Sequence, residues 1–157
     1  MNMSAPDSGK IPIQILLVED NPDHAELVMR SLRNHPSARI THLADGEAAL
    51  DYLFRRGPYS DAERWPLPQI VLLDLRLPKV DGLDVLQKVK SSGRFDEIPI
   101  IILTTSQAEA DIGKAYRRHV NSYLVKPLDF DQFARLMDDI GDYWLDWNRY
   151  SWQSGHV

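Results

Sequence analysis

The chain has no cysteine, so a disulfide framework, thiolate metal ligands and a cysteine nucleophile are all excluded. It also has no apolar run near the roughly 18 residues of a membrane span. Its opening residues, MNMSAPDSGK, lack the apolar stretch of a secretory signal, which predicts a cytoplasmic protein. Positive charge is in short supply: 18 Lys+Arg face 23 Asp+Glu, a formal net charge of -5. That balance gives no electrostatic reason to expect nucleic acid or an anionic membrane as a partner. The glycines form neither GxGxxG nor GxxxxGK(S/T), so the usual phosphate cradles of nucleotide sites are missing. His24, His35, His42, His119 and His156 show no paired spacing such as HxxxH, which argues against zinc.

What is present suits one ordinary domain. The length is 157 residues and the hydrophobic share is 43%, enough for a packed core and too short for a large multidomain enzyme. Residues 1–11 are polar and small, a disordered lead-in. Apolar runs of strand length, interrupted only by Gln14, follow at Ile13–Val18, Ile70–Leu73 and Ile100–Leu103, with a shorter one at Tyr123–Val125 and a half-polar candidate at Ile40–Ala44. Continuous apolar runs suit parallel strands covered on both faces. Between them lie helical patterns. Ala25, Val28, Met29 and Leu32 share one stripe, as do Ala108, Ile112, Ala115 and Tyr116. Phe133, Leu136, Met137, Ile140, Trp144 and Trp147 continue a third stripe through a long last helix, which Asp129 and Gln132 begin as a variant capping box. Shorter helices fit Gly46–Arg56 and Gly82–Ser91. Five strand–helix pairs in strict alternation predict an α/β fold, a doubly wound parallel sheet with helices on both faces. The segment Gly57–Pro68 is too broken by Gly and Pro for helix or strand. It reads as a functional loop or as a tolerated surface insertion.

In such sheets reactive groups gather beyond the carboxyl ends of the strands. Here the first strand ends in Glu19-Asp20, the third in Asp74, the fourth in Thr104-Thr105 and the fifth in Lys126-Pro127. Three carboxylates meeting at one spot repel one another unless a cation is present. Mg2+ answers this, because it accepts a few carboxylates, keeps several waters and can still take a phosphate oxygen. Lys126 adds a compact positive charge and Thr104 a hydroxyl for a phosphoryl oxygen. The set predicts a phosphoryl-transfer site with an aspartate nucleophile. Taken singly, each residue has a plainer reading: Glu19-Asp20 as a helix cap, Asp74 as a turn residue, Thr104 as a strand-end hydroxyl, Lys126 as a surface charge. Their joint placement at successive strand ends favours the functional one.

These residues resemble a response-regulator receiver domain, the phosphoacceptor half of two-component signalling. The resemblance runs from Pro12 to Tyr143 through ILLVEDNP (15–22), IVLLDLRLPKVDG (70–82), IIILTTS (100–106) and SYLVKP (122–127). It implies a flavodoxin-like strand order 2-1-3-4-5, with the receiver at 12–143 and an extension at 144–157. It implies Asp74 as phosphoacceptor, and Glu19, Asp20, Asp74 and the carbonyl of Arg76 as contacts to Mg2+ or another divalent ion such as Mn2+. Thr104 and the Thr105 N–H would hold phosphoryl oxygens, Lys126 would pair with the phosphate, and Thr104 with Tyr123 would form the switch. Pro127 matches a position usually preceded by a cis peptide, which would aim Lys126 inward. Arg76 and Ser106 match positions that tune dephosphorylation. The donor would be a sensor histidine kinase. The rivals are a phosphorylation-independent adaptor and a haloacid-dehalogenase-like phosphatase, although that family needs an acid where Arg76 stands. A flavodoxin-like electron carrier fits poorly, because Glu19-Asp20 would repel a flavin phosphate.

No output domain fits after the last helix, so the message would pass by protein–protein contact. Five of the 14 aromatics (Tyr143, Trp144, Trp147, Tyr150, Trp152) lie in the last 15 residues. That density predicts a homodimer interface through Tyr143, Trp144 and Trp147 on the face of the last two helices. The plainer alternative is that Trp144 and Trp147 extend the core stripe. The long loop, LTTS and the aromatic extension together resemble receivers that partner phytochrome-type kinases such as bacteriophytochromes.

Overall fold

The computed structural model describes residues 11–151. The expected lead-in therefore lies outside the described residues except for Ile11, as do Trp152 and His156 of the extension. Five parallel strands, β1 (Ile13–Val18), β2 (Ala38–Leu43), β3 (Ile70–Leu73), β4 (Ile100–Thr104) and β5 (Ser122–Val125), form one sheet in the order β2-β1-β3-β4-β5. The helices are α1 (Pro22–Leu32), α2 (Gly46–Leu53), α3 (Gly82–Ser91), α4 (Glu109–Arg117) and α5 (Phe130–Gly141). No described helix is long and apolar enough to cross a membrane.

Alternation along each strand divides the core in two. Leu16, Val18, Val71, Leu73, Ile100 and Ile102 face α2, α3 and Ala115 of α4. Ile15, Leu17, Ile70, Leu72, Ile101 and Leu103 face α1 and α5. Both faces are covered, which is why the central strands read as unbroken apolar runs. β2 and β5 lie at the edges and stay half-buried along most of their length.

Several boundaries differ from the sequence reading. α2 stops at Leu53, three residues short of Arg56. There the Arg56 N–H bonds the Asp51 carbonyl at 2.8 Å and the Arg55 N–H bonds the Tyr52 carbonyl at 3.3 Å. This is a Schellman closure, with Arg55 at φ 55 in the left-handed position where glycine is usual. The Gly57–Pro68 segment is not devoid of helix: Gly57–Tyr59 makes one 3-10 turn. It is also not loose, because Trp65 packs edge to face against both Tyr52 and Tyr59, and the Tyr52 hydroxyl donates to the Pro66 carbonyl at 2.6 Å. In α4 the buried positions are Asp111 and Ala115, while Tyr116, expected inside, is exposed.

The last helix does not run α-helically to Trp147. It ends at Gly141 and widens into a π-helical segment, Asp142–Trp147. A Cβ on Gly141 would lie 2.4 Å from His35 Nε2, so the imidazole needs glycine there, and glycine weakens the α-helix at that point. The π turn brings Leu145, five residues after Ile140, to the core. Trp144 packs half-buried against the same cluster, and Trp147 is left 79% exposed.

One close approach positions the site directly. The N-terminus of α3 folds back onto the chain after β3, and the Gly82 N–H bonds the Leu75 carbonyl at 2.8 Å. A Cβ at Gly82 would meet the Asp74 carbonyl oxygen at 2.1 Å. Gly82→Ala should therefore cost about 1–3 kcal/mol, read as a lowered urea midpoint, and should also displace the Asp74 backbone.

Candidate functional site

The capping arrangement leaves the acidic pair at the end of β1 free for other work. Asn21, not Glu19 or Asp20, caps α1: its side chain accepts from the Asp23 and His24 N–H groups at 2.9 and 3.2 Å, with Pro22 at the first helical position. Glu19 turns inward, is 2% exposed, and accepts the Asn21 N–H at 3.2 Å through Oε2. Asp20 stays at the surface. Asp74, directly after β3, is anchored by its N–H to the Val18 carbonyl at 3.0 Å, and its Oδ1 accepts the Leu75 N–H at 2.7 Å.

Lys126 closes the cluster from β5. It is 3% exposed. Its Nζ donates to Asp74 Oδ2 at 2.9 Å, to Glu19 Oε1, and to His24 Nδ1 at 3.1 Å. No cis peptide occurs among the described residues, so the expected cis bond before Pro127 is absent. Lys126 reaches the site nonetheless, because its N–H bonds the Thr104 carbonyl at 2.7 Å in the ladder and its ammonium is drawn between two carboxylates. Thr104 is fully buried at the end of β4.

The charges do not balance. One ammonium faces the buried carboxylates of Glu19 and Asp74, with Asp20 at the mouth. Burial, aided by the Asp74 charge, pushes Glu19 up to about 7 against the opposing pull of Lys126. For Asp74, burial also disfavours the charge, but Lys126 and hydrogen bonds from Glu19 and Thr104 outweigh it and leave Asp74 below the usual carboxylate range. Asp74 is thus the ionised member, and Glu19 the one that takes a proton when Lys126 is the only cation. One oxygen each from Glu19, Asp20 and Asp74 lie within 4.8 Å of one another. An all-oxygen donor set short of positive charge fits a hard divalent ion.

Of the predicted residues, Glu19, Asp20, Asp74, Thr104 and Lys126 come together. Thr105 follows Thr104 at the exposed rim. The Arg76 side chain turns to Asp111, Nη2 to Oδ2 at 2.9 Å. Tyr123 is half-buried, and its hydroxyl donates to the Ser106 carbonyl at 2.9 Å. Two contributors escaped the sequence reading. His24, set aside because no second histidine stood near it, contacts Lys126 and packs edge-on against Phe133. Asp111 is the other; it lies four residues before Ala115, on the apolar side of its helix, and that placement is its one signal in the sequence.

A family model described as "Response regulator receiver domain" matches residues 15–138. The chain belongs to the response regulator receiver family. It is 50% identical over 149 residues to the "Probable methanogenesis regulatory protein FilR2" of Methanothrix harundinacea, an alignment covering 91% of this chain and 94% of the relative. It is 37% identical over 144 residues to "Response regulator Rcp1" of Synechocystis, covering 89% and 94%. The structure of Mn(2+)-bound Rcp1 superposes with a TM-score of 0.84 at 36% identity, covering 88% of this receiver and 99% of that chain. The phosphorylated cyanobacterial phytochrome response regulator RcpA superposes at 0.85 with 35% identity, covering 89% and 99%. The receiver reading of the fold, strand order and signalling role thereby holds, and nothing in these likenesses favours the phosphatase or the adaptor.

Glu19 also sets a pH dependence. Its folded value near 7 lies above its ordinary 4.5, so its proton stabilises the metal-free fold at low pH, and that contribution fades as pH rises through about 7. A divalent ion needs the ionised form. Affinity for a divalent ion should therefore rise about tenfold from pH 6 to 8 and then level off, and calorimetry at pH 6.5 in buffers of different ionisation enthalpy should show proton release. A flat profile with no proton release would contradict this protonation state.

Proposed function

We propose that Asp74 accepts a phosphoryl group from the phosphohistidine of a sensor histidine kinase, in the cytoplasm. The observation that carries this reading is the Lys126 ammonium lying between Glu19 and Asp74 at the ends of three strands. The ionised Asp74 carboxylate attacks phosphorus in line, the P–N bond to imidazole breaks, and an acyl phosphate forms. Lys126 pairs with the new phosphoryl oxygens, and the Thr104 hydroxyl and Thr105 N–H hydrogen-bond them. Mg2+, for which Mn2+ can substitute, held by Glu19, Asp20, Asp74 and the Arg76 carbonyl, would supply the charge that neutralises the transferring group. Rotation of the Thr104 hydroxyl toward the phosphate vacates space that Tyr123 fills, and the face of α4, β5 and α5 repacks.

The output we infer is contact with another protein, beginning with a second copy. Tyr143 and Trp147 are 56% and 79% exposed on the π segment, while Trp144 roots it in the core. Phytochrome-type input is supported by the likeness to Rcp1 and RcpA.

Asp74→Asn should abolish acid-labile labelling by acetyl phosphate with Mg2+, and labelling that persists would move the acceptor elsewhere. Partner binding that survives this change would instead favour an adaptor. Light scattering at tens of micromolar should show a dimer that Trp147→Ala shifts toward monomer, with unchanged thermal stability.

A further inference from the structure

Arg76 and Ser106 each lie two residues beyond a site residue, Asp74 and Thr104, and both end on the same oxygen. Asp111 Oδ2, in the first turn of α4, accepts from Arg76 Nη2 at 2.9 Å and from Ser106 Oγ at 2.6 Å. Ser106 is tied in three further directions. Its N–H donates to Thr104 Oγ1 at 3.4 Å, its hydroxyl accepts the Ala108 N–H at 3.3 Å, and its carbonyl accepts the Tyr123 hydroxyl at 2.9 Å. The loops after β3 and β4 and the start of α4 therefore meet at one carboxylate, and Tyr123 of β5 is joined to it through Ser106.

The two ends of the ion pair are unequally free. The Asp111 side chain is 12% exposed and that of Arg76 is 65% exposed, so the arginine can swing while the aspartate stays. A phosphoryl group brings about -1.5 to -2 charge and three acceptor oxygens. A guanidinium pairs more strongly with such a dianion than with a single carboxylate.

We propose that Asp111 holds Arg76 in the unphosphorylated protein, and that a phosphoryl group on Asp74 draws the Arg76 guanidinium away and so releases the first turn of α4. The proposal rests on the reading of Asp74 as acceptor. Phosphorylation acts on the network at two points: Thr104 Oγ1 leaves the Ser106 N–H as it turns to the phosphate, and Arg76 leaves Asp111. The Ser106 carbonyl, no longer fixed, then gives up the Tyr123 hydroxyl. Asp111 touches none of the reacting atoms; it is a positioning residue that sets the resting state.

The test is binding of beryllofluoride, a phosphoryl analogue, with Mg2+ to the full chain. Failure of the unaltered protein to bind would overturn the acceptor reading and this one with it. Given binding, Asp111→Asn, which removes the charge and keeps the shape, should tighten it about 3- to 10-fold by destabilising the resting state. Asp111→Glu should restore the original affinity. Arg76→Gln should give no tightening, because it removes the hold and the phosphoryl partner together, and the double variant should follow Arg76→Gln. Unchanged affinity in Asp111→Asn, or equal tightening in Arg76→Gln, would overturn the exchange. Should Asp111→Asn fail to fold, the Arg76 Nε–H resonance of the unaltered protein should shift when beryllofluoride binds; a stationary signal would overturn it.

Discussion

The site is organised by a single buried ammonium shared between two carboxylates. Lys126 is 3% exposed and bridges Glu19 and Asp74, which leave β1 and β3 more than fifty residues apart in sequence. Burial raises both carboxylates and the ammonium lowers both; its pull, with hydrogen bonds, outweighs burial at Asp74 but not at Glu19, so the two shift in opposite directions. The resting site is thus set to take up more positive charge, which suits an ion and then a phosphate. Its geometry belongs to the sheet, since each of the three chains enters from the end of a hydrogen-bonded strand.

The features legible in the sequence were those fixed by period and position. Unbroken apolar runs marked strands covered on both faces, and the polar residue ending each run marked the site. Asp74, Thr104 and Lys126 could be read this way because a strand end needs no knowledge of side-chain direction. Asp111 and His24 could not. Each becomes meaningful only when a helix face is set against a particular loop, and a single histidine or aspartate in a helix has many ordinary uses. Pro127 shows the reverse error: a family habit suggested a cis bond, but the ladder bond from Lys126 to Thr104 aims the side chain without one.

Helix ends were the least legible feature. The apolar stripe of α5 continued in sequence to Trp147, yet contact with His35 makes Gly141 the last α-helical residue. The wider turn then exchanges the register, so that Leu145 goes in and Trp147 comes out. Sequence periodicity carried no sign of this, because its cause, His35, lies more than a hundred positions earlier in the chain and meets Gly141 only in the fold.

The π segment leads the chain away from the chemistry. Asn148 to Ser151 pack beside Asp96, Glu97, Pro99 and Asn121, residues that precede β4 and β5, whereas the Lys126 cluster sits where the strands finish. The described residues therefore form two poles, one holding the Lys126 cluster and one holding Asn148 to Ser151. A partner seated over the Lys126 cluster leaves the opposite pole open, so a second contact at Asn148–Ser151 does not compete with it for room.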